Sequence, residues 1–181
     1  TTVDRQCGSS LQAIQFGAQA VMSGTQDVII SGGVEAMSTV EIGSNIRDGL
    51  PNGRGIPKGE RLEMQYPGIQ FSQFDGAELL ARKYEITRAD LDAFGLLSHQ
   101  RAKAATDNGY FKEEIVPLNI KLEDGSADVH LADEGIRGGA TLEGMQSLKA
   151  LREGGVITAG TASQISDGSA AVMIANEMAV A

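Results

Sequence analysis

The chain predicts an α/β protein, and three observations carry that prediction. A helical apolar stripe over Leu11, Ile14, Ala18, Val21 and Met22 is followed closely by the apolar run Val28-Ile29-Ile30 and by Gly32-Gly33. A second wholly apolar run, Ala170 to Ala175, lies near the far end. Apolar residues make up 41% of the 181, and there are 23 glycines, so one domain, or a core with a smaller annex, can close around tight backbone contacts. Helix, strand and glycine turn is the order of α/β folds. Apolar runs without polar alternation read as strands buried on both faces of a sheet.

The elements follow in order. The first helix begins after Cys7, and Gly24 is its stop. Residues 39–75 contain IRDGLPNGRGIPKGERLEMQYPG, rich in glycine, proline and charge without a sustained period, and read as an irregular excursion from the core. Helical pattern returns near Gly76–Tyr84. Thr87-Arg88-Ala89-Asp90 starts the next helix, with a capping hydroxyl and an acid three residues on. Leu91, Phe94, Ser98, Ala102 and Ala105 share one face of it, and Asp107-Asn108-Gly109 ends it. Residues 113–122 and 128–131 form a hairpin about Glu123-Asp124-Gly125. Thr141 opens another helix, with Leu142, Met145 and Leu148 on one side. Val156-Ile157-Thr158 reads as a buried strand, joined to Ala170–Ala175 by TAGTASQISDGS.

Bulk properties narrow the function. A net charge of −9 argues against nucleic acid as a partner. A few local Arg or Lys residues still suffice for a small anionic ligand. No apolar run is long enough to span a membrane. The single cysteine cannot form an internal disulfide, which fits a reducing, cytoplasmic setting.

That cysteine, Cys7, stands where the first helix begins. Unpaired N–H groups and the positive end of the helix dipole favour an anion there, and the thiolate is the nucleophilic form of cysteine. Ser9 and Ser10 can cap the helix or line a pocket. The competing reading is a buried structural cysteine, since free cysteine is among the most buried residue types. A cysteine nucleophile also needs a base, and the histidines are His99 and His130. One falls in an amphipathic helix and the other in a hairpin, the settings of solvated or core histidines.

Four stretches, VDRQCGSSLQAI, VIISGGVEAMS, DEGIRGGATLEGMQSLKAL and GGVITAGTASQISDGSAAVMIANE, resemble the thiolase family in order and spacing. This family comprises the acetyl-CoA acetyltransferases and 3-ketoacyl-CoA thiolases. The resemblance covers essentially the whole chain, and TAGTASQISDG is similar to the family's TAGNAS-x-x-ND-G segment. It implies a partial N-terminal α/β/α domain, from residues 1–38 and 154–181, with residues 39–153 as an inserted loop domain. The family's C-terminal motifs NEAF, GHP and CxGGG have no counterpart here. The resemblance therefore implies a fragment, inactive and poorly stable by itself.

Residue by residue, the resemblance makes Cys7 the acyl-accepting nucleophile of a thiolytic cleavage of 3-ketoacyl-CoA, or of the reverse Claisen condensation. Arg137, in DEGIRGG, matches an arginine packed against the CoA nucleotide, and a planar guanidinium suits that contact better than Lys. Ser163 matches a serine bonded to the pantetheine arm, Ala159 a residue in contact beside it, and Leu148 a CoA-lining position. Their bland alternatives are an exposed surface arginine, a small-residue turn and core packing. Coenzyme A serves as a substrate; no permanently bound cofactor and no metal are implied. The implied partners are CoA thioesters and further copies of the chain, as a dimer or tetramer of the complete enzyme.

Departures from the family pattern sharpen the expectation. Ser72-Gln73 stands where biosynthetic members carry His-Met, which points to degradative, β-oxidation-type 3-ketoacyl-CoA thiolases. Gly144 replaces a common serine. Thr161 and Ser166 replace asparagines while keeping hydrogen-bonding side chains. Two rival readings stand beside this one. A ketoacyl synthase-type condensing enzyme shares the fold but reads TACSSS around its cysteine. A catalytically inert chain would retain only part of the CoA site.

Overall fold

The computed structural model describes all residues, 1–181. Along the chain run α1 (Ser9–Met22), β1 (Val28–Glu35), α2 (Ser44–Gly49), a 3-10 turn (Leu50–Asn52), α3 (Glu60–Gln65), α4 (Gln73–Lys83) and α5 (Arg88–Asp107). There follow β2 (Leu118–Lys121), β3 (Ala127–His130), α6 (Leu142–Gln146), β4 (Gly168–Ala175) and α7 (Glu177–Val180). Two compact units result, one from residues 1–59 with 165–181 and the other from residues 60–164.

The first unit is a helix on a ribbon. Both apolar runs are strands, and they lie in one sheet as direct neighbours: β1 and β4 are antiparallel, with Ile29 opposite Ile174 and Ile30 opposite Met173. The helix α1 lies on the face that carries Ile29, Ser31 and Ile174. There Ser31 Oγ donates to the Ala13 carbonyl at 3.0 Å. Gly17 is the contact point: a Cβ added to it would stand 2.8 Å from both Ile174 Cδ1 and Ser31 Oγ. Both ends of the ribbon are tied by polar groups. Asn176 Nδ2 donates to Asp27 Oδ1 at 2.7 Å, and the Ser38 amide and hydroxyl both donate to Asp167, at 2.8 and 2.5 Å.

Burial on both faces of the sheet does not hold for this pair. Val28, Ile30, Val34 and Met173 are 44%, 70%, 79% and 69% exposed, because α1 covers one face of a two-stranded ribbon and these residues point the other way. The stretch expected to be irregular contains short helices. Gly43, at φ 81°, starts α2, and Arg47 there pairs with Glu41 and Asp48. Such single turns leave no sustained apolar period to read.

The second unit is mainly helical. Ser72 caps α4 through the Asp75 amide. Thr87 and Asp90 form the expected capping box at the start of α5: each side chain accepts from the other's amide. Asn108 and Gly109 close that helix. Its inner face differs from the expected one. Asp92 and Gly95 are buried, whereas Phe94 is 70% exposed. The hairpin forms as expected, with β2 and β3 antiparallel about a turn in which Gly125 takes φ 87° and Ser126 donates to Asp124. Thr141 caps α6 at the Gly144 amide.

Val156-Ile157-Thr158 is not a strand. Only Thr158 makes an isolated bridge, to Ala150. The amides of Val156 and Ile157 donate instead to the buried carboxylate of Glu78, at 2.9–3.1 Å. That attachment places residues 154–164 in the second unit. The seams between units fall at Gly59–Glu60 and Gln164–Ile165, whereas the sequence pattern breaks at residues 38–39 and 153–154. Loss of period marks where regular structure stops, not where contacts stop.

Candidate functional site

Cys7 is exposed and lies just ahead of α1. The residues before it form a closed turn. The Gly8 amide donates to the Arg5 carbonyl at 2.8 Å. Ser9 Oγ both donates to that carbonyl and accepts from the Arg5 amide, each at 2.9 Å. The helix ladder begins at once, with the Gln12 amide bonded to the Gly8 carbonyl at 3.0 Å. Between closed turn and helix, Cys7 takes φ 58°, the left-handed region. A non-glycine residue is held there only when its surroundings fix it, and such strain gathers at functional positions. The expected capping by Ser9 and Ser10 is corrected: Gly8 is the N-cap without a side-chain partner, and Ser9 is spent on closing the turn. The alternative of a buried structural cysteine is removed by its exposure.

The other candidate residues all belong to the second unit. The Arg137 amide donates to His99 Nδ1 at 3.3 Å, so α5 holds the 133–138 loop by that imidazole. Lys103, paired with Asp107, fills the space beside Gly138, and Gln164 fills that beside Gly135. The Arg137 side chain is exposed. Leu148 is half-buried; its Cδ1 would stand 2.8 Å from a Cβ at Gly160. Met145, 5% exposed, fills the space beside both Gly95 and Gly160. The segment carrying Ala159 and Ser163 turns on the fully buried Thr158. The Thr158 carbonyl accepts from the amides of Thr161 and Ala162, and its amide donates to Thr161 Oγ1. Ala159 and Ser163 are exposed at the surface of that turn. The structure thus gathers three segments, 133–138, 145–148 and 158–164, against α5 and against one another. The hydrogen-bonding replacement at Thr161 closes the turn.

Three polar groups escaped the sequence reading. Glu78 is 5% exposed and Asp92 fully buried. Asp92 takes the Arg88 Nε at 2.7–2.8 Å, and Arg88 Nη2 donates to the carbonyls of Met145, Gln146 and Leu148 at 2.8, 3.3 and 3.0 Å. The third is Asp167, whose carboxyl is held below its ordinary range, chiefly by the Ser38 hydroxyl and then by the Ser38 amide. Its place in the matched segment SDG was the available signal. Glu78 and Asp92 gave none, being acids in ordinary helix patterns. Two open surface depressions are formed elsewhere. One, of about 410 Å³, includes Asn176 and Glu177; the other, of about 390 Å³, includes Ser44 and Arg54.

Against known proteins, residues 1–178 match the family model described as "Thiolase, N-terminal domain". The chain is 48% identical over 181 residues to the steroid 3-ketoacyl-CoA thiolase FadA6 of Mycobacterium tuberculosis, covering 99% of this chain and 43% of that protein. It is 39% identical to a beta-ketoadipyl-CoA thiolase of Acinetobacter baylyi, covering 100% of this chain and 47% of that one. The crystal structure of human mitochondrial 3-ketoacyl-CoA thiolase superposes with a TM-score of 0.74 at 35% identity, over 99% of this chain and 46% of that one. The chain therefore spans about half the length of the curated relatives it matches.

Proposed function

Because this chain belongs to the thiolase family, we propose that it contributes the nucleophile and much of the coenzyme A site of an acyltransferase acting on 3-ketoacyl-CoA thioesters. The observation that carries this reading is Cys7: an exposed thiol in left-handed backbone conformation, held by the Arg5–Ser9 turn at the foot of α1.

The chemistry is two successive acyl transfers, from carbon to the Cys7 sulfur and from that sulfur to coenzyme A. The Cys7 sulfur attacks the 3-keto carbon, and the C2–C3 bond breaks. The carbanion at C2 takes the proton that the Cys7 thiol gave up and leaves as acetyl-CoA. The sulfur of a second coenzyme A then attacks the acyl-thioester on Cys7. The shortened acyl-CoA departs, and the incoming thiol's proton returns to the Cys7 sulfur. The reverse sequence is a Claisen condensation. A positioned nucleophile splits one difficult step into two easier ones.

For the ligand, Arg137 contacts the nucleotide, Leu148 and Ala159 line the pantetheine arm, and the Ser163 hydroxyl fixes it. An apolar surface with few placed polar groups is what such a ligand needs. Ser72-Gln73 favours degradative substrates of the β-oxidation type. The residue 60–164 unit corresponds to an inserted loop domain and the other unit to an N-terminal α/β domain. A cytoplasmic location suits the thiol, and the complete enzyme assembles as a homo-oligomer.

The test is intact mass and peptide mapping after mixing the chain with acetoacetyl-CoA. An acetyl adduct on the Cys7 peptide, absent in Cys7→Ser, is expected. No adduct, or one elsewhere, favours the second reading, an inert chain keeping only part of the coenzyme A site. Arg137→Ala should raise the Kd for coenzyme A several-fold without altering adduct formation at saturation, because a remote contact binds ground and transition states alike.

A further inference from the structure

The second unit holds its candidate ligand segments in an unusual manner. Neither is a strand in a sheet, and each is held by a charged side chain from a neighbouring helix. The 145–148 segment leaves α6 and is caught by one guanidinium: Arg88 Nη2 donates to the carbonyls of Met145, Gln146 and Leu148. That guanidinium is fixed in turn by Asp92, whose side chain is fully buried. The 156–158 segment is caught by one carboxylate: Glu78 takes both the Val156 and Ile157 amides. Between the two clamps, Met145 sits against the close approaches at Gly95 and Gly160, and Leu148 Cδ1 lies beside Gly160. A change at either clamp therefore shifts Leu148 relative to Ala159 and the turn that carries Ser163.

We propose that Glu78 and the Arg88–Asp92 pair are positioning residues for coenzyme A: they set the spacing of the two segments that receive the pantetheine arm, without touching the ligand. The inference rests on reading Leu148, Ala159 and Ser163 as coenzyme A contacts. Charge-assisted hydrogen bonds in a water-poor interior are strong and geometrically strict. A planar fork that serves several carbonyls at once cannot be copied by an ammonium. Helices α4 and α5 thus act as two brackets, and the ligand meets only what they hold.

The experiment measures the Kd of coenzyme A for the 181-residue chain by calorimetry, with amide exchange over residues 145–163 in parallel. Arg88→Lys and Glu78→Gln are compared with Asn108→Ala, which removes the bond from Asn108 Nδ2 to the Ala104 carbonyl at the far end of α5 and lowers stability away from both clamps. The clamp variants should weaken binding about tenfold or more, the scale of a lost charged hydrogen bond. Glu78→Gln should also speed exchange at Val156 and Ile157, while Asn108→Ala leaves the Kd within about twofold, as expected for an exposed helix end. If Glu78→Gln does not fold, Glu78→Asp, which keeps the charge and shortens the reach, takes its place. Unchanged affinity in the clamp variants overturns the proposal, as does an equal loss in Asn108→Ala, which would mean that stability alone is at work. Failure of the unsubstituted chain to bind coenzyme A overturns the underlying reading of the site, and the proposal with it.

Discussion

The two units solve the problem of holding a functional group in opposite ways. In the first, a helix is laid on a ribbon through small and apolar residues, with Gly17 as the point of closest approach, and the Cys7 thiol is placed locally by five consecutive residues, Arg5 to Ser9. In the second, buried or half-buried charges reach across many positions in sequence, from Glu78 to Val156 and from Arg88 to Leu148, to hold the end of α6 and segments without regular structure. A nucleophile's direction is a local property of the backbone. Under the proposed coenzyme A reading, a long, flexible ligand needs distant segments at fixed spacing, and single strong polar contacts would supply that.

The largest effect that would break this contrast is at Asp92. Asp92→Ala removes the buried partner of Arg88, which is 27% exposed and keeps its three carbonyls, and should cost about 1.5–3 kcal/mol, the scale of a hydrogen bond to a charged group, measured by urea unfolding. A loss under about 1 kcal/mol, the value of an exposed pair, would mean the second unit does not depend on its charges. Next comes Gly17→Ala, where the added methyl meets Ile174 and Ser31. Overpacking of this kind costs about 1–3 kcal/mol, and exchange should rise along β1 and β4 while α5 stays protected.

Cys7→Gly has the reverse sign. It removes the left-handed strain and should raise stability by up to about 1 kcal/mol, since relief of that strain exceeds the extra backbone entropy of glycine. It should also abolish the acyl adduct. A lower melting temperature would mean the turn does not strain Cys7.

The smallest effect concerns acid. The folded-state pKa of Asp167 lies below the unfolded value of about 3.9. The contribution from Ser38 is then fully present above that value and is lost as pH falls through the folded pKa. The melting temperature of the native chain should fall more steeply below about pH 4 than that of Asp167→Asn. Parallel curves would sink the assignment.

What the sequence carried, it carried through local chemistry. The α1 stripe, the strands at the two apolar runs, the Thr87–Asp90 box and the Glu123-Asp124-Gly125 turn each rest on residues within a few positions or on plain apolar pattern, and all four are present in the structure. The candidate site residues were named through three of the four matching stretches, and the structure places Leu148 and the 158–164 turn together about Gly160. What failed to show depends on distant partners. Val156-Ile157 has the composition of a strand, yet its donors go to an acid on α4. The inner face of α5 contains a carboxylate and a glycine, so a search for apolar residues chose Phe94, which points outward. The backbone angle of Cys7 is set by a serine that looks like a cap and is not one.

That angle also acts as a filter on descent. At a position of φ 58°, glycine or asparagine is easier for the fold to accommodate than cysteine. Where the proposed acyl transfer is no longer needed, substitution would drift toward those residues, each step being neutral or favourable to folding. Under that proposal, selection on the chemistry is what keeps cysteine at this position against the preference of the backbone. The codon would then report, in any descendant of the chain, whether the reaction is still being selected.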